Sequence, residues 1–124
     1  MNEENKKIAI TFLTLIADGN IDEAFDRHVD PAGKHHNAFS LAGFEELKKA
    51  MKENHAQFPN KKIQIKHVLG DGDMVATYSH LQFKADDPGV VVVHLFRFKE
   101  GKIVELWDSG QVIPVAIPNT DGVI

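Results

Sequence analysis

The chain has no cysteine among its 124 residues, so neither a disulfide framework nor thiolate chemistry is available to it. It contains no apolar run near the roughly 18 residues that a membrane-spanning helix needs. Its start, Met1-Asn2-Glu3-Glu4-Asn5-Lys6-Lys7, is polar and lacks the apolar stretch of a signal peptide, which makes the cytoplasm the expected compartment. Basic charge is not in excess. With 14 Lys and Arg against 18 Asp and Glu, the formal net charge is -4, and the interspersed signs leave no basic stripe to neutralise a run of phosphates. Nucleic acid is therefore not an expected partner. No repeat, linker or low-complexity segment divides the sequence.

What is present suits one domain over residues 1–124. Apolar residues make up 43% and charged residues 26%, close to the globular balance, and the length allows one hydrophobic core rather than two. Ile8, Phe12, Leu15 and Ile16 recur at helical spacing between Glu3 and Ala17, and Gly19 supplies a stop. Asn20 followed by Glu23 matches a capping box opening a short second helix through Ile21, Ala24, Phe25 and Val29, which Pro31 and Gly33 end. Lys34-His35-His36-Asn37 has no periodicity and reads as a loop. Phe44, Leu47 and Met51 then define a third helix that stops near Phe58-Pro59.

From Lys62 the period changes from helical to extended. Ile63 and Ile65 alternate with polar residues, Asp71-Gly72 marks a turn, and Met74 to Lys84 forms a second run. Asp86-Asp87-Pro88-Gly89 is a further turn. Val90 to Phe98 is rich in β-branched and aromatic residues, and Lys99-Glu100-Gly101 leads into a fourth strand from Ile103. Helices followed by an antiparallel meander predict an α+β domain with the helices on one face of a four-stranded sheet.

Strand register decides which polar groups meet, because successive side chains point to opposite faces. A loop centred on Asp87 pairs Lys84 with Val90 and sets His80 opposite His94. A three-residue loop with Gly101 in the left-handed position pairs Phe98 with Lys102, sets Leu106 opposite His94, and leaves Asp108 on the same face. Tyr78, His80, His94, Phe96, Leu106 and Asp108 then share a mostly apolar wall with a few convergent polar groups, the pattern of a small-molecule pocket. A two-residue loop at Glu100-Gly101 turns Asp108 away instead. Val91, Val93, Leu95 and Trp107 make the opposite face apolar, and a second copy of the chain is the expected cover.

His36-Asn37 before the third helix, Val93-His94-Leu95-Phe96-Arg97-Phe98, and Gly101-Lys102-Ile103-Val104-Glu105-Leu106-Trp107-Asp108 resemble SnoaL-like proteins of the nuclear transport factor 2-like superfamily. The resemblance implies a cone-shaped α+β barrel, with helices closing over a strongly bent sheet, and a homodimer. It also implies that Asp108 matches the acid-base aspartate of the family's polyketide cyclases, which catalyse an intramolecular aldol condensation. His80 and His36 match pocket histidines, whereas relatives often carry another residue at His94.

The expected chemistry is cofactor-free. Asp108, in an apolar pocket, removes a proton next to the carbonyl of a small, mostly apolar compound, and His80, His94 or Tyr78 donate to the developing oxygen. Asn37 and His36 orient the far end of the substrate, while Phe96 and Leu106 supply apolar wall. A cyclase, isomerase or dehydratase fits this description. The same pocket also suits a non-catalytic ligand-binding module, and the apolar outer face suits a dimeric interaction protein. Each histidine and Asp108 could instead serve only to pair and stabilise the sheet. Two histidines and a carboxylate can hold a transition metal, but no tight ligand spacing is present, so no metal is expected. The tail from Pro114 to Ile124 is either a cavity lid or a dimer arm.

Overall fold

A computed structural model describes residues 2–124. Helix α1 (Asn2–Ala17) buries Ala9, Phe12, Leu13, Ile16 and Ala17 along one stripe. Gly19, at φ +89, ends it, and the next amide, Asn20 N, donates back to Leu15 O at 2.8 Å. Helix α2 (Ile21–His28) buries Ile21, Ala24 and Phe25. The capping box expected at its start does not form, because the Asn20 side chain makes no cap hydrogen bond. Helix α3 (Phe44–Gln57) begins after Gly43 at φ +94 and buries Phe44 and Leu47.

Among the described residues the sheet has five strands rather than four, in the order β1 (Val29–His36), β5 (Lys102–Val112), β4 (Val90–Lys99), β3 (Met74–Gln82), β2 (Lys62–Asp71). The additional strand is β1 (Val29–His36), which lies where the sequence reads as a helix end followed by a loop. It pairs in parallel with β5 (Lys102–Val112), so its backbone groups are satisfied by a distant segment that leaves no local periodicity. Pro31 and Gly33 fall where this register slips, between Val29 and Lys34. A Cβ on Gly33 would lie 2.4 Å from Val104 O, so only glycine lets the two strands approach there.

The antiparallel meander comprises β2 (Lys62–Asp71), β3 (Met74–Gln82), β4 (Val90–Lys99) and β5. Val90 pairs with Leu81, not Lys84. The loop is wider than expected because Asp87 organises it from within: its carboxylate accepts from Phe83 N at 3.2 Å and Gly89 N at 3.0 Å. Gly89 takes φ +83, with its absent Cβ only 2.3 Å from Leu81 O. Moving the partner from Lys84 to Leu81 is an odd shift, so β3 presents its other face. His80 pairs with Val91 and Tyr78 with Val93 on the outer surface, while Thr77 faces His94 and Ser79 faces Val92 beneath the helices.

The next turn has two residues, with Glu100 at φ +52 and Gly101 at φ +77 in the left-handed geometry that suits a tight hairpin. By parity alone this would carry Asp108 to the outer face. It does not, because Val104 is an unpaired extra residue: Phe98 pairs with Ile103, and Arg97 already pairs with Glu105. This β-bulge restores the alternation, so that Asp108 lies opposite His94 and Leu106 opposite Phe96.

Helices α1, α2 and α3 cover the inner face unevenly. Toward the β4–β5 turn it is sealed: Phe12, Phe96 and Ile103 are fully buried, and Phe12 meets Phe25 and Phe96 edge-on at 5.5 and 6.2 Å. Toward the Asp87 loop the inward-facing Ile63, Ile65, Leu81, Val90 and Val92, and Met51 of α3, are only half-buried. On the outer face, Tyr78 Oη donates to Val123 O at 2.5 Å, so the end of the tail returns along this side rather than over the inner face. Among the described residues no helix is long and apolar enough to cross a membrane.

Candidate functional site

One rung of the sheet carries the site. Thr77 of β3, His94 of β4 and Asp108 of β5 are consecutive cross-strand neighbours on the inner face. The rung continues to Asn37, just past β1, whose Nδ2 lies 2.9 Å from both Asp108 carboxylate oxygens. Asn37 is itself locked in place, because its Oδ1 accepts from Phe39 N at 2.7 Å and Ser40 N at 3.1 Å. Those two backbone donors fix which end of the amide is oxygen, so the amine end must face Asp108. Asn37, expected to hold substrate, thus positions the carboxylate.

The adjoining rungs supply the surroundings. Phe96 and Leu106, fully or almost fully buried, back the site on the sealed side. His94 and Phe96 stack with centroids 5.9 Å apart. On the open side Ser79, Val92 and Gly110 follow, and Gly110 leaves the position beside Asp108 without a side chain.

Thr77 Oγ1, Ser79 Oγ and His94 Nδ1 are all buried, and none has a hydrogen-bond partner among the described residues. A buried polar atom left unpaired costs about 1–3 kcal/mol, so three on one wall are a concentrated expense beside a carboxylate already held in position. Burial pushes the His94 imidazole down to about 4, against the attraction of the Asp108 charge, so the ring is neutral at pH 7 and offers one donor and one acceptor.

Of the residues expected to share the pocket, the structure brings together Asp108, His94, Asn37, Phe96 and Leu106, and it removes three. His80 and Tyr78 lie on the outer face through the altered β3 register. There, His80 Nε2 donates to Pro88 O at 2.8 Å, and Tyr78 binds the tail. His36 also faces outward, with Nε2 2.6 Å from Glu105 Oε2 and its ring stacked on Trp107 at 5.0 Å. Arg97 and then His36 hold the Glu105 carboxyl below the usual carboxylate range. His35 is the inward member of the pair, opposite Leu106 and 2.8 Å from Leu41 O.

Thr77, Ser79 and His35 were not among the expected site residues. The Val75-Thr77-Ser79 alternation was visible, but with β3 read in the opposite register it belonged to the outer face. Among the described residues no three His, Asp or Glu side chains come together as a metal-binding set. Two surface cavities, of about 260 and 210 Å³, lie elsewhere and are lined by none of the expected site residues.

The neutral His94 makes stability depend on pH in a stated direction. An unfolded histidine titrates near 6.5 and the folded one near 4, so between those values the unfolded chain takes up a proton that the folded chain refuses. Stability is greatest above pH 6.5 and falls as the pH drops toward 4, by up to about 3 kcal/mol from this group. Denaturant unfolding at a series of pH values will show this decline, and His94→Gln will flatten it.

The SnoaL-like domain family matches residues 9–106, most of the chain, and the match stops just short of Trp107 and Asp108. No curated protein sequence matches the chain. Among solved structures, AclR from Streptomyces galilaeus aligns with a TM-score of 0.77 at 19% identity, over 93% of this chain and 83% of that one. A SnoaL-like protein of unknown function from Burkholderia thailandensis aligns at 0.75 and 13% identity, over 90% and 98%. TsrD from Streptomyces laurentii aligns at 0.72 and 14% identity, over 89% and 90%. At such identities the structures establish shared fold alone. The family match and the element order agree, and the chain belongs to the SnoaL-like family.

Proposed function

We propose that the open half of the inner face is a small-molecule site for cofactor-free acid-base chemistry on a mostly apolar carbonyl compound. The observation that carries this reading is the set of buried, partnerless polar atoms on Thr77, Ser79 and His94 next to an Asp108 carboxylate that Asn37 holds by both oxygens. A carbonyl oxygen in that space takes the hydroxyl and imidazole hydrogens that the protein leaves unused, and half-buried Ile65, Leu81 and Val92 accept the apolar body.

In the proposed step the Asp108 carboxylate takes a proton from the carbon next to the substrate carbonyl. The electron pair moves onto the carbonyl oxygen, which the Thr77 and Ser79 hydroxyls and the neutral His94 stabilise as an enolate. Returning the proton elsewhere gives an isomerase, loss of a β-substituent gives a lyase, and attack on a second carbonyl gives an aldol cyclase. All three share the first proton transfer, so the test is directed at it. In D2O, the protein will exchange the α-protons of small cyclic ketones, read by proton NMR. Asp108→Asn will slow exchange about a thousandfold, and Asn37→Ala by a smaller factor, about tenfold. Exchange that survives Asp108→Asn contradicts the mechanism, and saturable binding without any exchange favours a ligand-binding module.

The outer face supports a homodimer as part of the same reading. Leu95 and Leu69 are 36% and 68% exposed, and Val93, Ala76 and Trp107 are half-buried beside them. Sedimentation of the purified chain will show a dimer, and Leu95→Glu will shift it toward monomer. A wild-type monomer at high concentration refutes this part.

A further inference from the structure

Residues 114–124 lie on the outer face of the sheet and are held there lightly. Ile113 N donates to Gly89 O at 2.9 Å, which fixes the start of the tail beside the beginning of β4. From there residues 114–121 are all exposed. The chain folds back at Asn119, whose carbonyl accepts from Gly122 N at 3.1 Å and whose side chain accepts from Asp121 N at 3.0 Å. Val123 O then meets Tyr78. Among the described residues this is the only hydrogen bond between 114–124 and the rest of the protein, and no ion pair joins them.

The tail shields one end of the face. Between its two fixed points the sheet presents Val91, 6% exposed, and Val93, half-buried beside Tyr78, although the helices lie on the opposite side. Toward the β4–β5 turn the cover is gone, and Leu95 is 36% exposed. Facing sheets pack about 10 Å apart, a gap that an extended segment lying on one of them already fills. A second sheet therefore cannot reach Val91, Val93 or Tyr78 while the tail is in place. Stable interfaces take roughly 20–30 residues from each side, more than the uncovered surroundings of Leu95, Leu69 and Trp107 supply. A copy docking here needs the whole outward face.

We propose that residues 114–124 form a releasable strap, closed on Tyr78 in the single chain and displaced when a second copy docks on the outer face. The proposal rests on the dimer reading above and adds that the tail opposes association, so the strap sets the concentration at which dimers form. Release costs little. One hydrogen bond is lost, and the tail's Val115, Ile117 and Ile124 are already 95%, 36% and 45% exposed, so little apolar burial goes with it.

The test is sedimentation equilibrium of the full chain, paired with nitrogen-15 relaxation of the tail amides below and above the dimer midpoint. In the wild type these amides will be ordered in the monomer and mobile in the dimer. Tyr78→Phe keeps the ring, removes the hydrogen bond and will tighten the dimer about fivefold. Val123→Glu loosens the tail without altering the sheet and will tighten it by at least as much. A tail already mobile in the monomer, a dimer whose tail stays ordered, or a midpoint that neither variant tightens overturns the strap and leaves the dimer reading standing. No dimer in any of the three chains overturns both.

Discussion

Side chains alternate between the two faces of a strand, and in this sheet the alternation is reset by single residues. Val104, the one extra residue in β5, is the clearest case. Without its bulge, the tight Glu100-Gly101 hairpin would send Asp108 to the outer face, away from His94, Thr77 and Asn37. The same bulge leaves Glu105 facing outward to meet Arg97 and His36, so the inner rung and the outer ion pairs follow from one local irregularity. The Asp87 loop does the equivalent for β3, selecting Thr77 and Ser79 over Tyr78 and His80.

Once the rung is assembled, its two sides differ in how far the helices exclude solvent from them. Phe12, Phe96 and Leu106 remove water from behind His94, which keeps the imidazole neutral, while the residues toward the Asp87 loop are only half-buried. Asn37 joins this rung to the segment leading into α3 by holding Asp108 through one end of its amide and the backbone at Phe39 and Ser40 through the other. Relatives at 13–19% identity share this architecture. Because one fold supports many activities and the family match ends before Asp108, the case for chemistry rests on the rung itself.

Much of this was readable from residue order. The three helices, the β2–β3 turn at Asp71-Gly72, and the shared face of His94, Phe96, Leu106 and Asp108 follow from periodicity and turn chemistry. That last placement was reached through a three-residue turn, whereas the protein uses a two-residue turn and a bulge; two one-residue differences preserve the face. Strand β1 was not readable because it is stabilised by a parallel partner more than 60 residues away, and Pro31 and Gly33 mimic a terminator. The Tyr78 and His80 placements failed because Asp87 bonds within its own loop set the β3–β4 register, and the His36 placement failed because β1 is a strand, whose alternation turns His35 inward and His36 outward.

The central claim is that His94 is enclosed beside the charged Asp108. It is tested most directly by following the His94 ring resonances against pH in the wild-type protein and in Asp108→Asn. The account predicts that His94 stays neutral until the pH falls to about 4, and that removing the Asp108 charge lowers the midpoint further, because that charge alone favours protonation. A His94 midpoint near 6.5, or one unchanged by Asp108→Asn, would show that the two groups do not share an enclosed site and would contradict the account.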